Sequence, residues 1–157
     1  MSSAFVKEED GAPPEALAEL PVSAAPNLVT PRGFAAIEAK VAELETALHS
    51  ATDEAELARL RRDLRYWHMR RATAQVTESP GEVVAFGTRV RYRRGRGAQR
   101  TIEIVGEDEA DPAAGLIAYV APIAHAMMGA EPGDTVEFGS EELTVIGIEP
   151  IDSGAHS

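Results

Sequence analysis

Two apolar stripes at helical spacing, separated by a short polar break, limit what this chain can fold into more than any other feature. After Thr30 and Pro31 the apolar residues fall at Phe34, Ile37, Val41, Leu44 and Leu48, three and four positions apart, which puts them on one face of a helix. Threonine can accept a hydrogen bond from the free amides of a first helical turn, and proline fits the first helical position because its missing N–H has no partner there. At about 1.5 Å per residue, a helix over 31–49 spans roughly 28 Å. The string HSATDE at 49–54 interrupts the stripe, with Thr52 or Ser50 as the expected cap of a second helix. Asp53, Glu54 and Glu56 put negative charge where the amides of that helix point. The stripe resumes at Leu57, Leu60, Leu64 and Trp67. Each stripe is too narrow to bury itself, whereas two joined by a turn bury each other. The expected result is an antiparallel helical hairpin over 30–77. It should project, because its outer faces are charged and offer no second apolar surface.

Charge divides the chain at the same place. Residues 1–30 carry five acids and one lysine, 31–76 carry seven acids and eight bases, and 77–157 carry fourteen acids and six arginines. The hairpin is lopsided in charge as well. Acids gather at its turn, and six arginines lie within 59–71. Helix electrostatics accounts for part of that arrangement, and a partner surface is the other reading. Residues 1–29, acidic and proline-rich, read as a flexible leader with a helical turn near Glu15–Leu20; Phe5 or Leu20 packing back onto the body is the alternative.

Beyond Pro80 and Gly81 the pattern turns to strands. Val83–Tyr92 and Thr101–Val105 flank the turn RRGRGAQ, Ile117–Val120 reads as a third strand, and Pro122–Met128 reads as a short helix. Two closing strands follow, around Gly139–Glu141. Five short strands and one helix over 80–150 make a small β-rich domain, ending in a frayed 151–157.

Several chemistries are excluded. The chain has no cysteine, so disulfides, thiolate metal sites and cysteine nucleophiles are out. No window approaches the roughly 18 apolar residues of a membrane span, and a cytoplasmic protein is expected. GEDEADPAAG at 106–115 does not match the register of a calcium loop, so it reads as a solvated acidic turn. His49, His68, His125 and His156 sit in no metal-ligand pattern. RVRYRRGR at 89–96 could touch phosphates but is outweighed by the fourteen acids of its own domain. No metal site and no enzyme active site of its own is expected.

The strings NLVTPRGFAAIEAKVAEL at 27–44, RRDLRYWHMRRATAQV at 61–76 and IEIVGEDEADPAAGLIAYVAPIAHAMMGAEPGDTVEF at 102–138 resemble the Gre family of bacterial transcript-cleavage factors. The resemblance implies an α+β chain, a helical hairpin (coiled coil) followed by a small FKBP-like β-rich C-terminal domain. It implies a transcription elongation factor that docks at the secondary channel of RNA polymerase near nascent RNA and rescues or modulates backtracked complexes. In members active in cleavage, acids at the hairpin tip help position Mg2+ held by the polymerase; the factor has no cofactor of its own. The tip acids here would be Asp53, Glu54 and Glu56. The polymerase contacts would be Arg59, Arg61, Arg62, Arg65, Glu109, Asp111, Pro122, Ile123, Gly133 and Asp134. A monomer without autonomous sequence-specific nucleic-acid binding is expected. The family's usual coil of about 75 residues is here about 46, which shortens the reach by some 20 Å at about 1.5 Å per residue, so both cleavage and mere channel occupancy stay open. The alternative is a protein-binding regulator of the nucleoside diphosphate kinase regulator type.

Overall fold

The structure, a computed structural model, describes residues 17–151; Phe5 and the frayed tail at 152–157 lie outside them. Contacts divide the chain into two units. The described part of one is 17–23 with Ile37–Ala72, and that of the other is Ala24–Ala36 with 73–151.

Helix α1 runs Pro31–Ser50 and helix α2 runs Glu54–Thr73, twenty residues each. Thr30 caps α1 as its position suggests, accepting the Gly33 N–H on its hydroxyl at 2.9 Å. The cap of α2 is neither Thr52 nor Ser50 but Asp53, whose carboxylate accepts the Glu56 N–H at 3.0 Å. A carboxylate serves there better than a hydroxyl because it also opposes the positive end of the helix dipole. Ile37, Val41 and Leu44 of α1 are buried, whereas Leu57, Leu60, Leu64 and Trp67 of α2 are only half-buried. His68 lies 3.5 Å from Glu45, so the far half of α2 returns along α1. In the leader, Leu17–Leu20 are not helical, Leu20 is half-buried, and Glu19 grips Arg65 of α2 through two hydrogen bonds of 2.9 and 2.6 Å.

Two very short strands, β1 (Leu28–Val29) and β2 (Gln75–Val76), pair in parallel. The last residues of the expected leader are therefore part of the fold. Strands β3 (Thr88–Arg94), β4 (Gln99–Val105), β5 (Leu116–Ala118), β6 (Thr135–Phe138) and β7 (Glu141–Pro150) form one sheet in the order β5-β4-β3-β7-β6. All its pairs are antiparallel except β4 with the edge strand β5. Register slips opposite Arg91 and Tyr92, leaving Ile146 of β7 without a counterpart. Such a bulge bends its strand and adds twist, which curls the sheet. Inward-facing Val90, Tyr92, Ile102, Ile104, Leu143 and Val145 pack with Ala124 and Met127 of the one short helix, α3 (Pro122–Met127).

The FKBP-like expectation is overturned here. Six residues of helix against a bulged, curled sheet with a parallel edge pair make the coiled-coil-plus-curled-sheet arrangement, which is a different fold. Short strands and a small helix are legible in the sequence, but strand order and curl depend on pairings between remote residues.

Candidate protein-binding surfaces

Geometry separates the expected site residues into those that are available and those that are committed internally. In the hairpin unit, Asp53, Glu54 and Glu56 are all exposed at the turn, with one Asp53 oxygen spent on capping α2. Arg59 and Arg61 are exposed and pair with no carboxylate among the described residues. Arg62 pairs with Asp63 at 3.1 Å, and Arg65 is held by Glu19. Arg70 is buried, its guanidinium 5.9 Å from the Tyr66 ring centre.

In the sheet unit, Glu109 is the most heavily committed of the expected contacts. It sits in a 3-10 turn after β4, and its carboxylate accepts the backbone N–H of Thr30 at 3.0 Å, the Thr30 hydroxyl at 2.5 Å and the Gly106 N–H at 3.0 Å. The first turn of α1 has no acid of its own. Glu109, 79 positions away, supplies the negative charge that a helix N-terminus favours. Gly33 makes room for it, since a methyl group there would collide with the Glu109 carboxylate. Gly106 has the same role beside the Leu28 carbonyl.

A second cluster lies beside the clasp. Glu103 accepts from Arg32 at 2.6 Å and from Arg89 at 2.9 Å, and Arg89 reaches on to Glu149 at 3.2 Å. Burial works against the Glu103 carboxylate, but the hydrogen bonds from Arg32 and Arg89 outweigh it and hold Glu103 below the ordinary carboxylate range. Its folded form therefore binds a proton more weakly than the unfolded chain. The stabilisation is complete above the usual carboxylate pKa and is lost as pH falls through the lower folded value. Urea-unfolding midpoints should accordingly fall below about pH 4.5, and a Glu103→Gln variant should show a shallower fall over that window.

Asp111 and Pro122 are exposed, and Ile123 is half-buried against the core. Gly133 adopts a φ of 95°, a conformation that favours glycine, and the adjacent Asp134 carboxylate closes its own turn on the Glu131 N–H at 2.9 Å. Val120 and Met128, which sequence reasoning passed over, are 46% and 40% exposed at the two ends of α3. With Pro122 they leave an apolar surface around that helix; the only signal for it was an apolar run too short to assign to core or surface. Among the described residues no group of three or more His, Asp or Glu could hold a metal ion, and no helix is long and apolar enough to cross a membrane. A cleft of about 420 Å³ beside the clasp is lined by Thr30, Pro31, Thr77, Glu78, Ser79, Pro80, Gly87, Pro150 and Ile151. Its hydroxyls are engaged elsewhere, Thr30 with Glu109, Thr77 with the Gln75 carbonyl and Ser79 with the Gly81 N–H.

Residues 79–150 match the family described as transcription elongation factor, GreA/GreB, C-terminal. Transcription elongation factor GreB of Neisseria meningitidis is 38% identical over 72 residues, covering 43% of this chain and 44% of that protein. Transcription elongation factor GreA of Desulfovibrio desulfuricans is 30% identical over 132 residues, covering 69% of this chain and 82% of that protein. The chain belongs to the GreA/GreB family. It spans less than half of the Neisseria relative and most of the Desulfovibrio one. The crystal structure of GreA factor homolog 1 (Gfh1) of Thermus thermophilus is similar over 80% of this chain and 99% of its own, at 16% identity and a TM-score of 0.39. The family match over 79–150 makes the sheet domain one of the Gre C-terminal type. Within this Gre-family chain, the Thr30–Glu109 clasp joins the string at 27–44 to the string at 102–138, which the sequence shows only as separate matches.

Proposed function

We propose that this Gre-family chain binds RNA polymerase at its secondary channel and modulates backtracked complexes by occupying that channel, without completing the polymerase's cleavage site. Family membership supports the partner. The extent of the Desulfovibrio match carries the rest: it takes in about 108 residues of this chain against 132 aligned positions, so about 24 positions have no counterpart here. To the extent that those positions fall in the hairpin and are shared between its two arms, the tip is withdrawn by up to about 18 Å at about 1.5 Å per residue. Positioned groups can lose about 100-fold in rate for a 1 Å misplacement. Asp53, Glu54 and Glu56 at the end of twenty-residue arms then fall short of a metal that a longer hairpin would reach.

The docking surfaces under this reading are the arginine flank of α2 and the apolar surface of Val120, Pro122 and Met128 around α3. The polymerase supplies Mg2+ and all bond-breaking chemistry. Cleavage of backtracked RNA by saturating wild-type protein is expected to stay within about twofold of the polymerase's intrinsic rate, and Asp53→Ala/Glu56→Ala is expected to leave that rate unchanged. Stimulated cleavage that the double substitution abolishes would show instead that the tip reaches the metal.

A further inference from the structure

Arg65 of α2 is held by the chain's own leader. Glu19 takes its guanidinium with both carboxylate oxygens, accepting from Nε at 2.9 Å and from Nη2 at 2.6 Å. Two parallel hydrogen bonds of this kind fix direction as well as distance. A residue before proline is turned away from helical backbone. Leu20, which precedes Pro21, accordingly lies in a non-helical stretch, and it is half-buried.

Arg61 lies four positions before Arg65, and residues four apart are neighbours on one helix face. Arg61 is exposed and pairs with no carboxylate among the described residues, whereas Arg65, one turn further on, carries Glu19. An acidic partner that grips Arg61 therefore meets a carboxylate next. It loses Arg65 and is repelled by Glu19 as well. The hydrogen bond from Arg65, joined by the charge of Arg62, holds the Glu19 carboxyl below the usual carboxylate range, so that negative charge persists at neutral pH. The pair is nevertheless open to competition, since the Arg65 side chain is 54% exposed and that of Glu19 61%. Exposed pairs contribute little individually, but a segment of the same chain rebinds at an effective concentration of about millimolar. Such a contact is weak enough for a large partner to displace and persistent enough to lower that partner's affinity.

We propose that residues 17–23 form an acidic strap that gates the basic flank of α2: Glu19 withholds Arg65, and polymerase gains that arginine only when the strap lifts. This inference rests on the reading that the α2 flank docks on polymerase, and it adds a contact within the chain that opposes docking.

Two measurements on the full chain test it. The first needs no polymerase: arginine residues are modified with phenylglyoxal and followed by mass spectrometry, with Arg61 as internal reference. Arg65 should react at least about twofold more slowly in wild type than in Glu19→Gln, as expected for a modest exposed pair. The second is a double-mutant cycle on polymerase binding at low salt. Glu19→Gln should tighten binding by about two- to fivefold. Arg65→Ala should weaken it less than about twofold in wild type, but about three- to fivefold in the Glu19→Gln background. Equal reactivity of Arg65 in the two proteins overturns the strap and leaves the docking reading standing. So does unchanged or weaker binding by Glu19→Gln, or a cost of Arg65→Ala that is the same in both backgrounds. Protection of Arg65 in a wild-type protein that does not bind polymerase at all overturns the docking reading, and the gating role with it.

Discussion

Replacing Glu109 by alanine is expected to lower the unfolding free energy by about 3 kcal/mol, read as a shift in urea midpoint at unchanged m-value. The size follows from what the carboxylate leaves behind. It accepts from Thr30 twice and from Gly106 once, and both residues are buried, so water entering beside the truncated side chain replaces the charged acceptor only in part. Hydrogen bonds to a charged group contribute about 1.5–3 kcal/mol each, and an unsatisfied buried donor costs about 1–3 kcal/mol. These terms overlap and do not add; three orphaned donors at about 1 kcal/mol each, the lower end of their range, give the total. Gly33→Ala offers an independent check. Alanine improves helix propensity by about 1 kcal/mol, yet its methyl would displace the Glu109 carboxylate. The clasp outweighs the propensity, and a net destabilisation of about 1–2 kcal/mol is expected. A Gly33→Ala variant more stable than wild type would mean that the carboxylate can move aside and keep its bonds.

Reversing two arginines on α2 should have the largest effect on binding. Arg59→Glu/Arg61→Glu is expected to weaken polymerase binding by about 100-fold or more, since desolvated charge contacts are worth about 2–5 kcal/mol each and like charges repel. Both side chains are exposed with no carboxylate partner among the described residues, so a partner gains their full charge. Arg65→Ala should cost much less. Any partner that takes Arg65 must first displace Glu19, and breaking one exposed pair to make another returns little. The hierarchy Arg59 and Arg61 above Arg65 separates a specific contact from a generic basic flank, and a competition assay on immobilised polymerase at several salt concentrations reads it. Equal losses at all three positions would contradict the assignment.

Local rules made the start of α1 and both helical stripes legible in advance, because capping by Thr30 and the three-four spacing are properties of neighbours in sequence. The five sheet strands and the short helix α3 were legible for the same reason, although β3 starts at Thr88 rather than Val83 and the short pair β1 and β2 was not expected. Glu109 was not, since it sits in an acidic run that looks like a solvated turn and meets its helix 79 residues away. Distance in sequence also hid the division among the arginines of β3. Alternation puts Arg89, Arg91 and Arg93 on one face, but only the register with β4 and β7 shows which of them already has carboxylates opposite it. The cap of α2 was expected at Thr52 or Ser50, one or three residues before Asp53, because all three are competent caps and propensity alone does not choose among them. The FKBP-like expectation failed where a sequence is least informative, in strand order and in the bulge at Ile146.

The most direct test measures RNA cleavage and polymerase occupancy together in one stalled, backtracked complex. Wild-type protein should displace a labelled longer-armed Gre factor from the polymerase while RNA cleavage stays at the intrinsic rate. Failure to displace that factor at saturating concentration would contradict binding at the secondary channel.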